Sequence, residues 1–321
     1  MRSFLEFFRE AVRVSFAMPS EVSPAWSLDG IYEPSAVQQL PDGRFLVVED
    51  EKRQPFSVFT VGADGRVQSQ ALTPSLFQVS SSAWKLDDLE GLTMDQSGFL
   101  YAITSHSRDE DGNEKKSREK LIRFRVDGRH VVMPQVVSDL KRALTTRYPV
   151  LAAAAAVRDV KDSGGLNIEA LEVDPHNGQL LIAFRSPLVD GKAIVACLEN
   201  TADVFDSGAK ARFPPTLEEL DLGARGIRGL SYVPSLDAYL VIAGPVSKAD
   251  EGFGLWLWKG AGAAARPVQI PLGVDLTRAE GTSAALINGV EHVIVVCDDG
   301  DRDSGRSATA RLLDPRLFAQ D

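Results

Sequence analysis

The hydrophobic positions of this chain fall into short, dense runs separated by turn residues, and the runs come in pairs. A polar segment with a charged residue opens each pair and leads into small or apolar residues. A turn of Asp, Pro, Gly or Asn follows, then a second, more apolar run that ends in polar residues. The first copy is EPSAVQQL, turn PDGR, FLVVED, from Glu33 to Asp50. The second is EGLTM, DQSG, FLYAITSHS, from Glu90 to Ser107. EALEV, DPHNG, QLLIAFRS follows from Glu169 to Ser186, then RGLSYV, PSLD, AYLVIAGP from Arg228 to Pro245. The fifth is EGTSAAL, INGVE, HVIVVCDDG, from Glu280 to Gly300. Runs rich in β-branched and aromatic residues, bounded by turn residues, predict antiparallel strands. Third strands follow the copies in PFSVFTV, KLIRFRV, AIVACLE, FGLWLWK and ATARLLD.

Short strand units repeated along a chain predict an all-β fold of the β-propeller kind, in which radial repetition suppresses edge-to-edge pairing. The leading charged residues are spaced 57, 79, 59 and 52 residues apart. Three of these spacings suit one four-stranded blade each. The long one contains VVSDLKRALTTRYPVLAAAAAVRDV, where Leu140, Leu144 and Tyr148 fall at helical spacing beside an alanine run. A helical insertion is therefore expected near residues 136–160. Five copies predict five blades, with six as the alternative if a degenerate copy hides near residues 1–30 or 130–160. Residues 26–321 form the expected propeller domain and residues 1–25 an N-terminal segment. The strand candidates VRVSF and AWSLDG are placed to complete the last blade and close the ring.

In a propeller the innermost strand of each blade lines a central channel. If Glu33, Glu90, Glu169, Arg228 and Glu280 each begin that strand, they stand around one axis at one end of it. The second strand returns to the same end, bringing Asp50, Ser105 with His106, Arg185 and Asp298 to the mouth. Carboxylates this close cannot all stay ionised without compensation. Arg228 pairs with one or two of them through its planar fork. The rest must hold protons, stay hydrated or bind a cation, and Ca²⁺ with its 6–8 oxygen ligands suits an irregular carboxylate ring. Glu90, Glu169 and Glu280 are the expected ligands. Zinc is disfavoured, because no His/Cys cluster has ligand spacing. The competing reading is structural: each leading Glu accepts backbone N–H groups from the next blade and staples the ring.

Charge changes the picture of partners. With Lys+Arg 35 and Asp+Glu 45 the formal net charge is -10, a surface that repels phosphate backbones, so nucleic acid is not expected. The opening MRSFLEFFREAVRVSFAMPS is aromatic but interrupted by Glu6, Arg9, Glu10 and Arg13. It lacks the apolar core of a secretory signal, and no stretch predicts a membrane span. A cytoplasmic protein with no membrane partner is expected. Cys197 and Cys297 sit in apolar runs and read as buried free thiols rather than a disulfide framework.

His106, in TSHSR, is the one histidine of four that this topology puts at the mouth, and it is the candidate general acid or base. Arg185 is the candidate holder of an anionic substrate group. DDGDRDSG imitates the start of a calcium loop, but Gly falls one place late and Ala310 stands where a closing Glu belongs. DEDGNE lies in a charge-rich hairpin and reads as a loop over the mouth. No G-x-S-x-G elbow, P-loop or dinucleotide fingerprint occurs.

LDDLEGLT, LYAITSHSR, GGLNIEALEVDP, LLIAFRSPLVDGKAIV and GIRGLSYV, in that order, resemble a bacterial family of propeller-like proteins with no settled activity. The resemblance runs from about Ile31 to Asp303 and implies the fold. The E-G-L phrase at Glu90 also resembles the esterase-like phytases and other calcium-dependent propeller hydrolases. That likeness implies a metal role for Glu90, Glu169 and Glu280, from which Arg228 departs. Two functions are expected from these readings. The first is a metal-assisted hydrolase of a phosphoester, ester or lactone, with His106, Arg185 and Arg228 in catalytic roles and Glu33, Asp50, Ser105 and Asp298 binding substrate. The second is a non-catalytic binding propeller for a small polar ligand or a protein.

Overall fold

The computed structural model describes residues 25–50, 55–62, 66–74, 85–158, 164–247, 252–270 and 274–318. They form a five-bladed propeller: five separate sheets, each built on a meander of consecutive strands. The inner strands are Pro34–Gln39, Leu89–Met94, Asn167–Val173, Gly226–Val233 and Ala279–Ile287. Each packs against the inner strand of the next blade, and the fifth packs against the first, so the ring is closed.

Closure uses the start of the described chain. Trp26–Ser27 pairs antiparallel with Thr309–Leu313, with Trp26 opposite Ala310, and becomes the outermost strand of the fifth blade. The AWSLDG candidate thus fills its expected place, while VRVSF lies outside the described residues. Leu28 N donates to Ala308 O at 2.8 Å, and Ala308 N donates to Ile31 O at 2.8 Å, extending the seam beyond the two strand residues. The second blade gains a fifth strand, because Thr73–Pro74 joins His130–Val137 in parallel.

The second strands explain why their sequences read as continuous apolar runs. Phe45–Glu49, Leu100–Thr104 and Ala238–Gly244 are buried at every position. Each is covered on both faces by neighbouring blades, so alternation with polar residues would place polar groups in the core. The core is accordingly spread over the blade junctions. Ala36, Leu46 and Phe56 of the first blade pack with Leu92, Leu100 and Phe124 of the second. Phe45, Val47 and Phe59 pack with Ile294, Val296 and Leu312 across the closing seam. Burial of each such side chain stabilises by about 1.5–3 kcal/mol, and these contacts hold only while the ring is complete.

The helical insertion is present as Leu140–Arg147 and Pro149–Ala156. Pro149 opens the second helix, where its missing N–H costs no helical hydrogen bond. Leu140, Leu144, Tyr148 and Leu151 are buried against Ile103 and Phe184, filling the junction between the second and third blades. No helix among the described residues is long and apolar enough to cross a membrane.

Candidate functional site

All five inner strands share one irregularity near their start. The register to the second strand slips between Pro34 and Ala36, Leu89 and Gly91, Ile168 and Ala170, Ile227 and Gly229, and Ala279 and Gly281. The residues passed over are Ser35, Glu90, Glu169, Arg228 and Glu280. Each is the extra residue of a β-bulge, a device that re-aims a side chain away from the regular pleat. All five line a single cavity of about 1040 Å³ at the end of the channel. The repeated charged position is therefore a repeated bulge. It also corrects the expected ring: the first blade contributes Ser35, while Glu33 precedes its inner strand by one residue. Glu33 still lines the cavity.

The residue after each bulge is small: Ala36, Gly91, Ala170, Gly229 and Gly281. At the glycines the next blade explains it. A Cβ on Gly91 would lie 2.8 Å from Leu171 Cβ, one on Gly229 2.3 Å from Glu280 O, and one on Gly281 2.7 Å from Ala36 Cα. The E-G-L and R-G-L phrases thus combine a side chain aimed at the mouth with a gap that admits the neighbouring inner strand.

Arg228 organises one half of the cavity. Its Nε lies 2.9 Å from Glu169 Oε2, Nη1 donates to Glu169 Oε1 at 3.2 Å, and Nη2 donates to Glu280 Oε1. Arg185 adds a second guanidinium, with Nη1 donating to Glu169 Oε1 at 3.1 Å and Nε donating to Pro245 O at 3.0 Å. Asn167 Nδ2 donates to the same Glu169 oxygen at 2.8 Å. Arg118 organises the opposite side. Its Nη1 lies 3.0 Å from Asp88 Oδ2 and its Nε 3.3 Å from Asp87 Oδ2. Ser105 and Ser107 also donate to Asp88 Oδ2.

Between these fixed pairs stand carboxyls whose pKa is raised. Asp50, an exposed residue at the rim, is pushed up to about 7 by partial desolvation first, then by Asp88, against the opposing pull of Arg118. Asp298 is pushed up to about 7 by burial first, then by Glu280 and Glu33. Glu90 is raised well above the usual carboxylate range by burial, then by Asp88, Glu169 and Glu280. Asp50 and Asp298 follow the second strands of the first and fifth blades, so they flank the closing seam, and both feel Glu33.

Glu33, Asp50, Glu90, Glu169, Arg185, Arg228, Glu280 and Asp298 thus meet as expected. His106 and Ser105 do not line the cavity, and both are fully buried. The chain turns at His106 with φ 56, in the left-handed region, and the ring's Nδ1 sits 2.7 Å from Thr104 O. Burial lowers its pKa to about 4, so it is a neutral interior group. An irregular backbone after the second strand, invisible to a period-2 reading, carries it away from the mouth. The sequence reading missed Ser35, Asp88, Arg118 and Asn167. Counting back eight residues from the turn glycines Gly43 and Gly98 aligns Ser35 with Glu90 and was the available signal.

The expected calcium ligands do not fit that role in this arrangement. Glu169 and Glu280 already share Arg228, and among the described residues no group of three or more His, Cys, Asp or Glu side chains is placed to hold a metal ion. DDGDRDSG folds upon itself: Asp301 Oδ1 accepts the N–H groups of Asp303 and Ser304, and Asp299 accepts from Thr309 N and Oγ1. DEDGNE does reach the mouth, since Asp109 to Gly112 line the cavity.

No family model and no curated protein matches the chain. Solved propellers are similar to it at low identity. A gluconolactonase from Xanthomonas campestris is 14% identical with a TM-score of 0.42, covering 94% of this chain and 84% of its own. A PQQ-bound aldose sugar dehydrogenase from Streptomyces coelicolor is 15% identical with a TM-score of 0.45, covering 92% and 99%. The Malassezia sympodialis allergen Mala s 1 is 12% identical with a TM-score of 0.46, covering 92% and 84%. Values this low transfer no activity to this chain. The resemblance drawn from its motifs stands at the level of the propeller fold.

Proposed function

We propose that the protein hydrolyses a small, uncharged, oxygen-rich ester or lactone in the central mouth of the propeller. The observation that carries the reading is the convergence of Asp50 and Asp298 with arginine-fixed carboxylates in one cavity, a crowding that raises both carboxyls toward neutrality. A carboxyl with a pKa near the working pH is present in both forms and exchanges protons readily, the condition for general acid–base catalysis. One of the two, ionised, takes a proton from water as it attacks the substrate carbonyl. The other, protonated, gives its proton to the departing alkoxide oxygen. Arg185, with its Nε and Nη1 held by Pro245 and Glu169, is pre-positioned to polarise the carbonyl through its remaining nitrogen.

The preference for an uncharged substrate follows from the lining. Among the described residues, ten acidic side chains and five arginines face the cavity. Even with Asp50, Glu90 and Asp298 protonated, anions outnumber cations, so a phosphoester meets repulsion. The second reading, a binding propeller without turnover, is favoured by Arg228, which is held by carboxylates of two blades and acts as a staple in that arrangement.

The test is turnover of neutral lactones, carboxylic esters and phosphoesters across pH 4–9, with chelator and with added calcium. Hydrolysis of neutral substrates is expected, unaffected by chelator. Asp298→Asn should lower kcat by roughly 100-fold and remove a limb of the pH profile near 7. Binding without turnover establishes the second reading, and activity abolished by chelator returns the reaction to a metal on Glu90, Glu169 and Glu280.

A further inference from the structure

The second blade departs from the other four beside the mouth. Sixteen residues connect its second and third strands, against six to eleven in the other blades. Six consecutive residues of this connection, Ser107 to Gly112, line the cavity. Asp109 shapes the strap by accepting from the N–H groups of Asp111 and Asn113 and pairing with Lys115 Nζ at 2.7 Å, Arg118 Nη1 donates to Arg108 O at 3.4 Å, and Arg108 ties the strap to its surroundings. Arg108 Nε donates to Ala155 O at 3.1 Å, Nη1 to Gly112 O at 3.1 Å and Nη2 to Glu114 Oε1 at 3.1 Å. The first bond reaches the helical insertion, the second closes the strap on itself, and the third holds its far end.

The insertion meets the strap at two more places. Lys141 Nζ lies 2.7 Å from Glu119 Oε1 and 3.8 Å from Glu114 Oε1. Gly112, at φ +76, lies so close to the segment after the helices that a Cβ there would fall 3.0 Å from Arg158 Cβ and 3.1 Å from Arg158 O. Glycine is needed there for the backbone angle and for the approach. Arg158 itself lines the cavity. The insertion therefore has a second face beyond the one that fills the blade junction, and that face supports the strap.

We propose that the strap Arg108–Gly112, braced by the helical insertion through Arg108, is the specificity element of the mouth and restricts the central cavity to small molecules. A structure held by a three-way guanidinium clamp is pre-organised, so its size limit does not depend on closure around a ligand. The inference deepens the hydrolase reading by setting the size of its substrate, and it needs only the cavity to be tested.

Access is read with a thiol inside the cavity, independent of any activity. Ser35→Cys places one on the ring, in a Cys197→Ser background; that background without Ser35→Cys gives the contribution of buried Cys297. Labelling rates with N-ethylmaleimide and the bulky, neutral N-(1-pyrenyl)maleimide are compared. With the strap intact the pyrenyl reagent should react roughly tenfold more slowly relative to the small one, and Arg108→Ala should remove most of that difference. Arg108→Lys keeps the charge but not the three-way clamp and should fall between. A rate ratio that is the same in the parent and in Arg108→Ala with native melting overturns the proposal. If Arg108→Ala does not fold, an unchanged ratio in Arg108→Lys does so. A wild-type protein that fails to hydrolyse any ester leaves this result standing, so the two readings fail separately.

Discussion

Arg228 and Glu169 meet across the junction of the fourth and third blades, with Nε 2.9 Å from Oε2 and Nη1 donating to Oε1 at 3.2 Å. The same guanidinium holds Glu280 of the fifth blade, so one buried cation neutralises two buried carboxylates from the blades on either side. Removing it strands both anions. Arg228→Met keeps an unbranched stem but no guanidinium and should destabilise by about 3–5 kcal/mol, the usual cost of leaving a buried charge without its partner. Urea unfolding at pH 7 reads the loss, and a change under about 1 kcal/mol would show that the ring does not depend on this pair.

Gly229 is the companion of Arg228, and its role is spatial. A Cβ there would lie 2.3 Å from the carbonyl oxygen of Glu280, a backbone atom with no rotamer to move. Gly229→Ala must push the fourth and fifth blades apart and should cost about 1–3 kcal/mol or more through overpacking. Ala170→Gly is the control, because the third blade already tolerates a methyl at the equivalent bulge. It should lose only about 0.5–1 kcal/mol of backbone entropy. Thermal melting of both checks the order, and equal losses would remove the close-approach explanation.

Much of this was legible in the sequence because propeller geometry is repetitive. The paired apolar runs predict the strands, and the return of a charged residue at the head of each run predicts a shared mouth. The 79-residue spacing located the helical insertion. What failed was local and non-repetitive. Ser35 rather than Glu33 holds the ring position of the first blade, because the bulge falls between Pro34 and Ala36 and a repeat aligned on charge does not mark it. His106 was placed at the mouth by extending a strand that in fact ends at Thr104, two residues before the left-handed turn. Arg118 could not be tied to Asp87 and Asp88 from sequence, since their pairing depends on how a long connection folds back. The expected pairing of Arg228 with one or two of the leading carboxylates is present, and it takes up Glu169 and Glu280, two of the three residues proposed as calcium ligands.

Asp298 gives the pH dependence of the mouth a direction. Its pKa rises from the ordinary carboxylate range to about 7 on folding, chiefly through burial. The folded state therefore binds a proton that the unfolded state has released, and this favours folding below the unfolded pKa. That stability is lost as pH climbs through about 7. Asp298→Asn stays neutral, so its stability relative to wild type should improve steadily from pH 4 to pH 8. Urea midpoints at pH 4, 6 and 8 read the trend. A difference independent of pH would mean that Asp298 is ionised and well solvated in the folded protein, and the acid–base reading would lose one of its two groups.

Glu172, three residues beyond Glu169 on the same inner strand, carries the staple role at the other end of the channel. Its Oε1 accepts from Tyr232 N of the fourth blade at 3.0 Å, and its Oε2 accepts from Thr93 Oγ1 of the second blade at 2.9 Å. One side chain of the third blade thus ties both neighbours. Burial pushes its pKa up to about 8 against these two donors, so near neutrality it is mostly protonated. An amide reproduces that state: its oxygen accepts from Tyr232 N and its nitrogen donates to the Thr93 hydroxyl. Glu172→Gln should therefore stay within about 1 kcal/mol of wild type at pH 7, while Glu172→Ala should lose about 1–3 kcal/mol by leaving the Tyr232 N–H without an acceptor. Because the folded pKa is raised, the wild-type carboxyl stabilises at low pH and loses that contribution as pH rises through about 8. Glu172→Gln has no proton to lose and should become the more stable of the two above that pH. Unfolding of wild type, Gln and Ala variants at pH 6 and pH 9 separates the cases. A Gln variant as damaged as the Ala variant at pH 6 would require an ionised Glu172, and the staple would then be a buried charge rather than a neutral hydrogen-bonding group.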